Sequence, residues 1–146
     1  MPPAKLEHAN LTVSDPKASA ALLCRLFHWK IRWEGPSRHN GYTVHVGSRR
    51  QYLALYTAPH VTLSAGQNHA AVGGLNHLAV EVQDLDATEA RVKKAGLHPH
   101  NHADYDPGRR FYFHDPDGIE FEVVCYRTNR NPFAGWTENL LWSLIK

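Results

Sequence analysis

A chain of 146 residues, 42% hydrophobic and 21% charged, has the size and balance of one globular domain able to bury its own core. Its formal net charge of +2 argues against a nucleic-acid or membrane partner, and no apolar run approaches the roughly 20 residues of a membrane span. Met1-Pro2-Pro3-Ala4-Lys5 has no signal-peptide core, so the expected location is the cytoplasm, with Cys24 and Cys125 as buried thiols rather than a disulfide framework.

Residues 6–15, Leu-Glu-His-Ala-Asn-Leu-Thr-Val-Ser-Asp, return at 75–84 as Leu-Asn-His-Leu-Ala-Val-Glu-Val-Gln-Asp, an offset of 69 throughout. Both decamers alternate, which predicts two strands with Ala9, Leu11, Val13 and Leu78, Val80, Val82 on apolar faces. His8 and His77 then occupy equivalent positions on the opposite faces. Asp15, followed by Pro16, and Asp84 or Asp86 suit helix N-caps, so helices are expected over 16–28 and 86–95, the second closed by Gly96. Strand-like runs follow over 30–34, 41–46 and 51–57 in the first half, and over 97–102, 110–114 and 119–126 in the second.

Each half therefore reads βαβββ. Module one is expected over about 5–58, a linker over 59–74, module two over 75–127, and a helical tail over 129–146 carrying Trp136, Leu140, Leu141, Leu144 and Ile145 at helical spacing. Trp142 falls off that stripe and marks a candidate subunit contact, so a homodimer is expected. The fold class is α+β: paired βαβββ modules forming a curved, partly open eight-stranded mixed sheet around a cavity, with helices on the outer face.

The turn Asp115-Pro116-Asp117-Gly118 launches the last strand, where Glu120, Glu122, Val124 and Tyr126 alternate with Ile119, Phe121, Val123 and Cys125. Glu120 shares the face of Glu122 but has no histidine pair expected at its height. Pseudo-symmetry directs His8 and His77 into a shared interior with Glu122, a two-histidine, one-carboxylate set that leaves open positions on a divalent ion. Without the repeat, the same hairpin reads as half-exposed, with solvated carboxylates.

Leu6-Glu7-His8, Leu75-Asn76-His77-Leu78-Ala79-Val80 and Asp115-Pro116-Asp117-Gly118 with Glu122 four residues past the glycine resemble the vicinal oxygen chelate superfamily of glyoxalases, extradiol dioxygenases, fosfomycin-resistance transferases and bleomycin-resistance proteins. The resemblance covers about residues 5–126 and implies His8, His77 and Glu122 as metal ligands, with Fe(II) or Mn(II) favoured and Zn(II) or Ni(II) as alternatives. It also implies Tyr112 in the active site, as a donor or acid, and a further histidine as acid-base, for which His45, His100 and His102 are candidates. Asn10, Tyr52 and Arg110 are expected to line the substrate pocket, and Arg109 is a further candidate anion anchor.

Glyoxalase I would supply a fourth ligand from the last strand of module one. Residues 51–56 offer no carboxylate there, Tyr52 aligning with Glu122. The lysine and serine expected of fosfomycin transferases fall on His102 and Asp106. The resemblance then implies a metal-dependent, dioxygenase-like enzyme on a small oxygen-rich or aromatic substrate. The alternatives are a metal-free binding protein of the bleomycin-resistance type, a glyoxalase-type lyase or isomerase, and a regulatory scaffold. Alternation puts His98, His100 and His102 on one strand face, as an adventitious metal site or as free edge histidines.

Overall fold

The aspartate closing each repeated decamer caps the helix that follows it. In the computed structural model, of which residues 1–63 and 69–127 are described, Asp15 accepts hydrogen bonds from the backbone N–H of Lys17 and Ala18, both at 3.0 Å, at the start of α1 (Pro16–Phe27). Asp84 accepts from Ala87 N–H at 2.9 Å at the start of α2 (Leu85–Lys94), which settles the second cap on Asp84 rather than Asp86. His28 ends α1 in the left-handed conformation at φ 56°. Module one completes as β1 (His8–Thr12), β2 (Lys30–Ser37), β3 (Gly41–Gly47) and β4 (Tyr52–Thr57). Module two is β5 (Leu78–Glu81), β6 (His100–Tyr105), β7 (Gly108–His114) and β8 (Glu120–Tyr126).

The eight strands form two four-stranded mixed sheets, ordered β1-β4-β3-β2 and β5-β8-β7-β6, that do not close on each other. In each, the first strand pairs parallel with the last and the remainder are antiparallel. The larger differences from the expected bounds fall on β2 and β6. β2 runs three residues further than 34, through Gly35 and Pro36, because it is an edge strand, where proline sacrifices no ladder bond. β6 spans His100–Tyr105 rather than 97–102, paired in the hairpin that sets Tyr105 opposite Gly108.

One hydrophobic core serves both modules. Leu23, Leu26 and Phe27 of α1, Val44, Val46 and Leu55 of module one, and Val92, Phe111, Phe113, Phe121 and Val123 of module two belong to the same buried cluster. Phe27 stands 6.3 Å from Phe113 and 6.1 Å from Phe121, ring centre to ring centre, and Phe113 stacks on Phe121 at 5.3 Å. Polar bonds accompany this packing. Ser14 donates its backbone N–H and hydroxyl to the Asp117 carboxylate at 2.9 and 2.6 Å, and Arg91 Nε donates to the Leu26 carbonyl at 2.9 Å.

The turn before β8 is built as its sequence requires: Gly118 sits at φ 82°, and Asp115 Oδ1 accepts from Asp117 and Ile119 N–H at 2.9 and 2.8 Å. Burial pushes the Asp115 carboxyl above its usual range. The cysteines are half-buried rather than buried, and Cys125 donates to the Gln83 carbonyl at 3.3 Å. Among the described residues no helix is long and apolar enough to cross a membrane. The amphipathic stripe of residues 129–146, with Trp136 and Trp142, lies outside the described residues, as does part of the linker.

Because Phe113 is fully buried between modules, Phe113→Ala is expected to cost about 3–5 kcal/mol. Urea unfolding followed by both tryptophan fluorescence and circular dichroism should shift as one transition; separate transitions for the two halves would refute a shared core.

Candidate metal centre

The residue before each repeated histidine decides which ring nitrogen is free. His8 Nδ1 donates to Glu7 Oε2 at 2.5 Å, and His77 Nδ1 donates to Asn76 Oδ1 at 2.7 Å. Both rings are thereby held with Nε2 left to act, the arrangement in which an outer carboxylate or amide orients a ligating imidazole. The Glu7 carboxyl is held below its usual range, first by the hydrogen bond from His8. Neither Glu7 nor Asn76 was among the expected site residues. The signal was present in the repeat, where each histidine follows a residue with a side-chain oxygen.

On module two, His77 Nε2 lies 3.1 Å from Glu122 Oε2, and Arg110 Nη1 donates to Glu122 Oε1 at 2.9 Å. With Nδ1 committed to Asn76, Nε2 and the carboxylate oxygen are placed close enough to share one divalent ion. Glu122 is 8% exposed, and Arg110 also lies over the Tyr105 ring at 4.6 Å with its Nε buried and lacking a hydrogen-bond partner among the described residues. Tyr112 is the cross-strand partner of Glu122 and stands edge-on to His77, 5.7 Å between ring centres. Burial, and then the charge of Glu122, raise the Tyr112 phenol above its usual range, so it remains a donor at neutral pH.

On module one, His8 stacks on Tyr52 at 4.9 Å, Tyr52 meets His45 at 4.6 Å, and His45 meets Trp33 at 5.1 Å. Arg32 lies over the Tyr52 ring at 4.4 Å. Burial first, then the charges of His8 and Arg32, hold His45 below the usual histidine range, leaving it neutral and able to accept a proton at neutral pH. Asn10 is exposed on β1, two residues along from His8 on the same face. A cleft of about 530 Å³ opens between the β1 and β5 edges, lined by Glu7, His8, Tyr52, Ala79, Glu81 and Phe121 among others. It includes His8 and Tyr52 but neither His77 nor Glu122.

The structure therefore brings His77, Glu122, Arg110 and Tyr112 together, and His8, Tyr52 and His45 together, as two half-sites. Among the described residues, the one group of three or more His, Cys, Asp or Glu side chains with ligand atoms all within 4.8 Å is His100, His114 and Glu120. His8, His77 and Glu122 are not such a group among the described residues.

Four expectations are corrected by this geometry. Ala9 pairs with Leu53 and Leu78 with Phe121, so the repeat equates Tyr52 with Glu120 and Ala54 with Glu122, not Tyr52 with Glu122. The fourth-ligand position is alanine, and a carboxylate is still missing from it. Arg109 faces α2, where its guanidinium binds Asp86 at 2.8 and 3.3 Å, so it is no anion anchor at the site.

His100 and His102 do not share a face, because a bulge between His100 and Ala103, with Asn101 at φ 51°, breaks the alternation. His102 turns to Glu89 on α2 at 3.0 Å, while His100 stacks on His114 at 5.0 Å. Finally, Glu120 does have histidines at its height: His114 is its cross-strand partner and His69 lies 3.1 Å away.

The chain matches the family model for the Glyoxalase/Bleomycin resistance protein/Dioxygenase superfamily over residues 5–123. No curated protein sequence matches it. Its fold is similar to that of the glyoxylase/bleomycin resistance protein/dioxygenase domain from Frankia sp. EAN1pec, with a TM-score of 0.74 at 23% identity over 87% of this chain and 95% of that one. It is also similar to the fosfomycin resistance protein FosX from Listeria monocytogenes complexed with Mn(II) and sulfate ion, with a TM-score of 0.65 at 18% identity over 86% and 95%. A mutant of FosX complexed with Mn(II) and 1S,2S-dihydroxypropylphosphonic acid gives 0.67 at 19% identity over 86% and 93%. With the repeated βαβββ modules and a family match across most of its length, the chain belongs to the Glyoxalase/Bleomycin resistance protein/Dioxygenase superfamily.

Proposed function

We propose that this protein is a divalent-metal-dependent enzyme acting on a small oxygen-rich or aromatic molecule that chelates through adjacent oxygens, with dioxygenase-like chemistry. The observation that carries the proposal is the paired anchoring of His8 by Glu7 and His77 by Asn76, with the freed Nε2 of His77 facing Glu122 at 3.1 Å. His8, His77 and Glu122 would hold the ion, and the Mn(II) complexes of FosX support a divalent ion of the Fe(II) or Mn(II) kind. When bound, it would supply Lewis acidity to the substrate oxygens and, as Fe(II), redox reach towards dioxygen.

The chain's own residues do the rest. Arg110 neutralises Glu122 and adds positive charge for an anionic substrate oxygen. Tyr112, kept protonated, donates to a developing oxyanion, and neutral His45 takes up a proton from substrate. Tyr52 and Trp33 supply an aromatic wall, with Asn10 at its edge. Alanine at position 54 leaves no carboxylate to serve as a base on that strand, which disfavours an isomerase.

Because one chain carries the two half-sites apart, we further propose a cytoplasmic homodimer in which each single-domain chain lends His8 to the His77 and Glu122 of its partner copy. A metal-free binder is the second reading, favoured by the aromatic wall of Tyr52, His45 and Trp33, the last of which is 48% exposed.

Glu122→Gln is expected to abolish retention of Fe(II) or Mn(II) while leaving the circular dichroism spectrum unchanged; full Fe(II) or Mn(II) content in that variant would sink the metal assignment, and a native protein without stoichiometric Fe(II) or Mn(II) would favour the binder. Mixing unfolded and refolded His8→Ala and Glu122→Gln chains should restore metal to about half of the sites in the mixed dimers, because one of their two sites is then intact. No restoration would place the site within one chain. Tyr112→Phe should lower kcat about 100-fold or more with metal content unchanged, measured as oxygen uptake on a catechol panel, with α-keto acids and thiol adducts as competing substrates.

A further inference from the structure

Glu120 is a carboxylate 5% exposed in the middle of a polar face otherwise built around Glu122. Its carboxylate pairs with His69, Nε2 to Oε2 at 3.1 Å. Burying a carboxylate requires compensating positive charge. His100 Nε2 and His114 Nδ1 lie 3.2 Å apart beside it, and one ligand atom from each of these three residues falls within 4.8 Å of the others.

We propose that His100, His114 and Glu120 form a second divalent-cation site of the zinc class, its carboxylate further held by His69. The nitrogen separation of 3.2 Å is close to the edge, about 3.3 Å, of a tetrahedron with Zn–N bonds of 2.0–2.1 Å. Two imidazoles and one carboxylate, with a position left for water, select a late first-row ion over Mg(II) or Ca(II), which take oxygen ligands. The backbone is shaped to deliver the donors. His114 and Glu120 face each other across the hairpin that Gly118 closes, and the bulge at Asn101 holds His100 on their face while sending His102 to the other. The imidazoles of His100 and His114 are stacked, 18° between planes, so loading requires both rings to turn their lone pairs towards Glu120.

The site is separate from that of Glu122. Two residues along one strand face span about 6.8 Å, well beyond the roughly 3.5–4 Å of a bridged two-metal centre. An ion there would tie β6, through His100, to the turn end of β7 and β8, and would add positive charge beside the proposed substrate pocket.

The test is equilibrium dialysis of chelator-stripped full-length chain against Zn(II), and against Co(II) for its visible d–d bands. In the Glu122→Gln chain, which leaves this site alone, one equivalent of Zn(II) should bind and Co(II) should show tetrahedral bands. Adding His114→Asn or Glu120→Gln should weaken binding on the order of 100-fold or more. His100→Asn, on a half-exposed edge-strand position that leaves the core intact, should do the same, whereas His102→Asn should not. Circular dichroism of the metal-free variants checks their folding.

The proposal is overturned if the Glu122→Gln chain takes up no stoichiometric Zn(II), or if its Zn(II) survives His100→Asn and His114→Asn unchanged. A failure of the Glu122 metal site gives a different pattern: wild type binds one equivalent, and Glu122→Gln does not remove it.

Discussion

A buried carboxylate has to be compensated, and in this protein Glu122 organises the second module by that requirement. It sits 8% exposed between Arg110 on the neighbouring strand and His77 at the mouth of the first, so three elements are held in register by one charge. The strand pairing that places Tyr112 opposite Glu122 follows from the hairpin, whose turn closes through Asp115 and Gly118. Displacing that turn by one residue would send Glu122 into the hydrophobic core and Val123 to the polar face. Precision at the site is thus a consequence of turn chemistry and β-sheet alternation rather than of a rigid local cage.

The modules are joined by what lies on the opposite faces. Phe27 packs against Phe113 and Phe121, while Ser14 bonds Asp117 in the very turn that launches β8. The apolar faces are consumed within one chain, and the polar faces bearing His8 and Glu122 remain as separate half-sites. Histidines whose Nδ1 atoms are already anchored by neighbouring side chains present Nε2 without further rearrangement.

Histidine enrichment in this chain is spread among distinct tasks. His8 and His77 are oriented by the residues before them, His102 binds Glu89 on α2, and His100, His114 and His69 gather around Glu120. One local irregularity, the bulge at Asn101, separates the second and third tasks by sending neighbouring histidines to opposite faces. Two carboxylates on one strand face, each with its own imidazoles, give module two a charge-dense surface for which module one, with Tyr52 and Ala54 at the equivalent positions, has no counterpart.

Much of this was legible in the chain itself. The 69-residue repeat, the strict alternation of residues 6–15 and 75–84, the capping aspartates and the Asp115-Pro116-Asp117-Gly118 turn determined the paired modules, the helix starts, and the equivalence of His8 with His77, because each is a local rule with a short reach. Strand register was less accessible. Tyr52 and Glu122 were equated across a repeat whose last strands are offset by 68 residues rather than 69, and no local signal counts residues in a loop. Only the tertiary structure decided that Arg109 turns to Asp86, that His100 and His102 take opposite faces, and that Glu120 has histidines at its height. Those outcomes depend on a bulge, on cross-strand partners and on which faces the core consumes, and they arise from contacts between residues far apart in sequence.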